Sequence, residues 1–186
     1  MAERLQFTSG HCYHVYNRGN NRQSIFFEQE NYLYFLKLLK THLTLQNIRI
    51  LAYCLMPNHY HLLVKLDSDH LSNAMHDLSV AYTKAINKRF NRTGSLFEGR
   101  FKAITVNNDT YLAHLSRYIH LNPAKAGLVP HTKDWFFSSY RDYVGLRDGK
   151  LPDPTIILEQ FASRADYQSF LDQTAPPDLV KHLLFD

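Results

Sequence analysis

Cysteine is scarce in this chain: of 186 residues only Cys12 and Cys54 carry a thiol, each inside an apolar, strand-like stretch. Two isolated thiols make neither a disulfide framework nor a cysteine-based zinc site. Long apolar runs are missing as well. No segment approaches the length of about 20 residues that a membrane-spanning helix needs, and residues 1–20 lack a signal-peptide layout. No membrane partner is expected, and the cytoplasm is the expected location. Gly-rich phosphate loops, a Gly-x-Ser-x-Gly elbow and His-Glu-x-x-His are absent too, which removes the common nucleotide-binding, serine-hydrolase and metalloprotease readings. Acidic residues are in short supply over most of the chain. Residues 1–150 hold 19 Lys and Arg against 11 Asp and Glu, a net +8, while residues 151–186 hold 2 against 6, a net −4. A basic body with 12 Tyr and 12 Phe suits nucleic acid, since cations track phosphates and rings stack on bases. Charge alone fits an ordinary basic globular protein equally well.

What is present suffices for one domain. A 45% hydrophobic content can fill a core, and the change in composition at Leu151 divides a domain at 1–150 from an acidic appendage at 151–186. The appendage is too short to be an independent domain. Within it, a short apolar segment at 155–161 and a helical pattern at 165–173 precede Pro176-Pro177.

Along the body, residues 11–16 alternate as a strand and end in the turn Asn17-Arg18-Gly19-Asn20-Asn21-Arg22. Its two arginines suit phosphate binding or plain exposure. Residues 30–46 read as a helix with Tyr32, Phe35, Leu36, Leu39 and Leu43 on its core side. Strands at 48–56 and 59–66 form a hairpin around Pro57-Asn58. A second helix, capped by Asp67 or Asp69, runs to Phe90 and carries Lys84, Lys88, Arg89 and Arg92 near its far end. These four are a solvated face or a phosphate track. A strand at 100–106 follows, with Arg100 and Lys102 on one face. A third helix starts near Thr110 and should close at Asn122, because Pro123 disfavours helical geometry in the residue before it.

The chemistry centres on His59-Tyr60-His61. Side chains alternate across a strand, so the two histidines share a face and can share a metal ion. Tyr60, Leu62, Val64 and Leu66 make the opposite, apolar face, while His59, His61, Leu63 and Lys65 should border a cleft. In a chain with 11 histidines such a spacing arises readily by chance. A metal centre needs at least one more protein ligand and an open position. Asn122 is a candidate, four residues after Tyr118 on one helix stripe. A carboxamide oxygen completes the metal shell while the neighbouring phenol attacks a substrate polarised by that metal. His120 lies off this stripe and reads as structural or exposed.

Three blocks then carry a resemblance: Leu55-Met56-Pro57-Asn58-His59-Tyr60-His61, Gly94-Ser95-Leu96-Phe97-Glu98-Gly99-Arg100-Phe101-Lys102, and Arg117-Tyr118-Ile119-His120-Leu121-Asn122-Pro123-Ala124-Lys125-Ala126-Gly127. In order and type they resemble the single-tyrosine HUH transposases, with the REP-associated tyrosine transposases the most similar branch, over about residues 10–145. Asn17-Arg18-Gly19 resembles a further block of that branch. The resemblance implies an α+β, ferredoxin-like antiparallel sheet with helices packed on one face, here followed by a short helical C-terminal extension. It implies His59 and His61 as a metal pair, Asn122 where many relatives place glutamine, and Tyr118 as nucleophile. The implied activity is nicking and strand transfer of single-stranded DNA through a 5′-phosphotyrosine, beside an imperfect DNA hairpin. Mg²⁺ or Mn²⁺ is the implied cofactor, although imidazole ligands favour Mn²⁺ or Zn²⁺ over Mg²⁺. Arg18, Arg22, Lys84, Lys88, Arg89, Arg92, Arg100, Lys102 and Lys125 are the candidate DNA contacts. A non-catalytic hairpin binder, a replication-initiator-type nickase and a small-molecule hydrolase are the alternatives. Homodimer and monomer both stay open. Tyr60, in place of a purely aliphatic residue between the histidines, and the acidic tail depart from the family pattern.

Overall fold

A computed structural model of the chain describes residues 6–173. Its strands are β1 (Cys12–Arg18), β2 (Ile48–Met56), β3 (His59–Leu66) and β4 (Lys102–Val106), and its helices are α1 (Gln29–His42), α2 (Leu71–Arg89), α3 (Asp109–Lys125), α4 (Tyr140–Tyr143), α5 (Thr155–Leu158) and α6 (Arg164–Asp172). The four strands form one antiparallel sheet in the order β2-β3-β1-β4. The α+β architecture expected from the resemblance is therefore the one observed.

The β2–β3 hairpin is as short as the sequence implied, with Met56 opposite His59. Its turn is held from outside: the Pro57 carbonyl accepts from the Ile25 and Phe26 amides at 2.8 and 3.0 Å, and the Asn58 carbonyl from the Gly19 amide at 2.8 Å. Gly19 is required there, because a Cβ would lie 1.9 Å from the Gln23 carbonyl oxygen.

Each face of the sheet has its own core. Tyr13, Val15, Tyr60, Leu62, Val64 and Leu66 pack with Phe26, Phe35 and Leu39 from α1 and its approach, and with Met75, Leu78 and Tyr82 from α2. On the other face Leu51, Ala52, Cys54, Met56 and Leu63 meet Leu112, Leu115 and Ile119 of α3, together with Tyr143, Ile157, Tyr167 and Leu171. The helices expected on one face are α1 and α2; α3 and the C-terminal helices cover the opposite face. Residues 155–172 thus contribute to the main fold.

Three local expectations are corrected. The face of β3 with His61 and Leu63 does not border a cleft over its length, because both residues are fully buried beneath α3 and its neighbours; only its two ends, at His59 and at Lys65, are open. The cap of α2 is His70 without a side-chain bond, since Asp67 pairs with Arg49 and Asp69 accepts from the Ser9 amide. α3 runs through Pro123 to Lys125. Proline sits in the last turn, where little of the helical ladder remains to be lost. Gly127, at φ 70°, then ends the helix: its amide donates to the Ala124 carbonyl and the Leu128 amide to the Pro123 carbonyl, both at 3.0 Å. Pro176-Pro177 lies outside the described residues.

Candidate active site

Strand alternation and the β1–β3 register assemble the site. Arg18 lies opposite His59 and Tyr16 opposite His61, so β1 and β3 present these residues on one face. α3 crosses that face and brings Tyr118 to the histidines: its ring centroid is 5.4 Å from that of His61, and the planes stand at 80°. The His59 and His61 rings are 5.0 Å apart, near perpendicular. Asn122, one turn beyond Tyr118, hydrogen-bonds the His59 side chain. All four residues singled out for the chemistry therefore come from one chain and meet in one place.

Both imidazoles are oriented through Nδ1. That of His59 is 2.7 Å from Asn58 Oδ1, and that of His61 is 3.0 Å from Nε2 of His14. Such outer hydrogen bonds fix the ring rotamer and tautomer of a metal-binding histidine. Burial pushes the His59 pKa down to about 4, partly opposed by its bond to Asn122. His61 is held well below the ordinary histidine value, by burial first and then by His14 and His59. Both rings are neutral near pH 7, the form that coordinates metal. Among the described residues no group of three or more His, Cys, Asp and Glu is arranged to hold a metal ion. Two imidazole nitrogens with the Asn122 carboxamide oxygen remain as the donor set, and it fits a divalent ion of the Mn²⁺ type.

The site opens into a pocket of about 390 Å³ lined by Arg18, Arg22, Asn58, His59, Tyr118, Asn122, Lys125 and Ala126. Three of the candidate DNA contacts, Arg18, Arg22 and Lys125, thus surround the chemistry. Arg18 is also ion-paired with Glu98, whose carboxyl it holds below the usual range. Arg100 and Lys102 line a neighbouring pocket of about 230 Å³ that shares Arg18. The cations at the end of α2 and just beyond it are not brought in: Lys84, Lys88, Arg89 and Arg92 line neither pocket. Arg89 pairs with Glu28 at 3.0 Å, and the Arg92 guanidinium lies 5.4 Å over the Phe27 ring.

Sequence reasoning passed over His14, Tyr16 and Asn58. His14 and Tyr16 alternate on β1 as the two histidines do on β3, which was the available signal. The pairing of these strands, 47 residues apart, was not readable. His120, expected to be structural or exposed, is fully buried and hydrogen-bonded.

A family profile described as Transposase IS200 like matches residues 7–122. A Haemophilus influenzae protein named as a REP-associated tyrosine transposase is 32% identical over 100 residues, covering 48% of this chain and 57% of that protein. The chain therefore spans little more than half the length of that curated relative. The solved structure of a REP-associated tyrosine transposase bound to a REP hairpin superposes with a TM-score of 0.65 at 21% identity, covering 82% of this chain and 98% of that one. That likeness concerns the fold. With the profile spanning well over half of its length, the chain belongs to the IS200-like transposases, a family of DNA-processing enzymes.

Proposed function

We propose that this protein nicks single-stranded DNA and transfers the cut strand through a covalent Tyr118 intermediate, at a site beside a DNA hairpin. The observation that carries this reading is the convergence, within one chain, of Tyr118, the His59–His61 pair and Asn122. His59, His61 and Asn122 would hold a divalent ion, Mg²⁺ or Mn²⁺, with Nε2 as the coordinating atom of each imidazole. Such an ion supplies positive charge against the scissile phosphate. Tyr118 Oη gives up its proton and forms the new P–O bond as the P–O3′ bond breaks; the leaving O3′ takes up a proton to become a 3′-hydroxyl, and the 5′-phosphate stays on the phenol. Because the phosphodiester energy is conserved in the phosphotyrosine, a 3′-hydroxyl can reverse the step on another strand without ATP.

The rest of the pocket suits this substrate. Arg22 and Lys125 line the same pocket as the phenol and supply cations for phosphates near the cut. Arg18, braced by Glu98, adds a rigid guanidinium. Arg100 and Lys102 continue the basic surface. Lys84, Lys88, Arg89 and Arg92 are assigned a solvated, structural role instead. With every reacting residue on one chain, a monomer suffices for chemistry. A hairpin is the preferred DNA partner because the solved relative is bound to one.

The test is incubation with hairpin-bearing single-stranded DNA and Mn²⁺ or Mg²⁺, followed by denaturing electrophoresis. Wild type should form a protein–DNA adduct, while Tyr118→Phe forms none and still binds the hairpin. Tight binding by wild type with no cleavage in any metal would replace this reading with that of a non-catalytic hairpin binder.

A further inference from the structure

We infer that the C-terminal segment beyond the family match acts as a clamp that sets the roll of the nucleophile helix. His120 and Tyr167 are its positioning residues. The inference rests on the proposed role of Tyr118.

Tyr118 and Asn122 lie on one edge of α3. His120 lies two residues from each, and so on the opposite edge. There it is fully buried and joined at both ring nitrogens: Nδ1 is 2.8 Å from Tyr167 Oη on α6, and Nε2 is 2.8 Å from Ser139 Oγ. Ser116, one turn earlier on α3, lies 3.0 Å from the same Tyr167 hydroxyl and donates to the Ala113 carbonyl at 2.8 Å. Ser139 Oγ in turn accepts from the Tyr53 amide on β2 at 2.9 Å.

Two proton arrangements fit this chain of bonds. In one, Ser116 donates to Ala113, Tyr167 to Ser116 Oγ, His120 Nδ1 to Tyr167 and Ser139 to His120 Nε2. In the other, Ser139 donates to the Tyr53 carbonyl at 3.3 Å, His120 donates from Nε2 to Ser139 Oγ, and the Tyr167 hydroxyl donates to Nδ1. In both, every side chain is hydrogen-bonded with a neutral imidazole, which is the condition for a buried polar network to specify one packing.

The network ties α3 to β2 on one side and to α6 on the other. Two further contacts from α3 to α6 run alongside it: Arg117 Nε donates to the Leu171 carbonyl at 3.1 Å, and its guanidinium lies 5.7 Å over the Phe170 ring. Apolar packing of Leu112, Leu115 and Ile119 holds the helix against the sheet, yet slippery aliphatic contacts tolerate a roll about its axis. Directional bonds at Ser116 and His120 resist that roll. A roll would carry Tyr118 away from His61, and displacement of about 1 Å at a reacting group costs on the order of a hundredfold in rate.

Tyr167→Phe tests the clamp, since it keeps the ring and deletes only the hydroxyl. His120→Gln, which keeps hydrogen-bonding capacity, is the companion variant. For Tyr167→Phe the single-turnover rate of Tyr118–DNA adduct formation should fall by about tenfold or more. Hairpin affinity should stay within twofold, and amide exchange should quicken at residues 116–122 while the β1–β3 amides are unchanged. His120→Gln should recover part of the rate relative to His120→Ala. An unchanged rate in Tyr167→Phe overturns the inference. So does a loss of rate that merely follows a loss of folded protein and of hairpin binding. If wild type makes no adduct, the proposed function fails, and the local exchange pattern still decides whether the clamp exists.

Discussion

Val15, Leu62 and Val64 point from the sheet into rings and aliphatic chains supplied by α1 and α2; His14, His61 and Leu63, their neighbours in sequence, point the other way, toward α3. The first face is an almost wholly apolar core whose specificity comes from shape: Phe26, Tyr32, Phe35 and Tyr82 interlock with ring centroids 4.3 to 5.6 Å apart. The second face mixes aliphatic packing with two polar clusters, the histidines of the candidate metal site and the network around His120 at the clamp. One period-two alternation serves both. The comparison suggests that stability and chemistry are separated by which side of β3 a residue occupies.

The separation is broken hardest by deleting a large side chain on each face. Phe35 is fully buried, so Phe35→Ala should cost about 3–5 kcal/mol of stability, read as a shift in denaturant midpoint. The protein that remains folded should form adduct at the wild-type rate. His61→Ala should do the reverse: adduct formation is abolished, while the midpoint moves less than in Phe35→Ala. Loss of chemistry in correctly folded Phe35→Ala would show that the faces are not independent.

The faces also differ in how far the sequence disclosed them. The α1 stripe, the β2–β3 hairpin and the Tyr60-Leu62-Val64-Leu66 face were readable because each rests on local periodicity. So was the Tyr118–Asn122 stripe. The second face was not, for two physical reasons. Apart from Arg49, β2 is apolar, and a bulge between Ile50 and Ala52 places Leu51 and Ala52 together on the α3 side, which no alternation rule detects. The clamp joins His120 to residues 19 and 47 positions away, and only the folded chain makes those pairs. The cations around the end of α2 show the converse. Arg89 and Arg92 resembled a phosphate track in sequence, and local partners, Glu28 and the Phe27 ring, account for them.

Acid sharpens the comparison at intermediate size, because the buried histidines are concentrated on the second face. The His120 pKa is pushed down to about 3 and that of His59 to about 4, both chiefly by burial. An unfolded histidine titrates near 6.5, so below that pH the unfolded chain takes up protons that the folded chain refuses. The stability these groups allow is fully present above about pH 6.5 and is lost as pH falls toward 4. The loss should approach about 1.4 kcal/mol per pH unit for a fully buried histidine such as His120. Thermal melts between pH 7 and 5 measure it, with metal omitted. His120→Gln should flatten the profile, whereas Phe35→Leu should lower it in parallel. A melting temperature that does not change over this range would mean that the buried histidines take up protons without unfolding.

The smallest effect comes from the residue between the two candidate metal-site histidines. Tyr60 belongs to the first face; it is fully buried, and its hydroxyl has no hydrogen-bond partner among the described residues. A buried hydroxyl without a partner costs about 1–3 kcal/mol relative to leaving it in water. Its ring still packs on Phe35 and Phe97, at 5.1 and 6.1 Å between centroids. Tyr60→Phe keeps that packing and removes the stranded group, so stability should rise by about 1 kcal/mol. Adduct formation should not change, because Tyr60 points away from Tyr118 while its two neighbours point toward it. An altered rate would mean that the backbone of His59-Tyr60-His61 transmits packing from one face to the chemistry of the other. An unaltered rate with raised stability would make this tripeptide the narrowest point at which the two faces are kept apart.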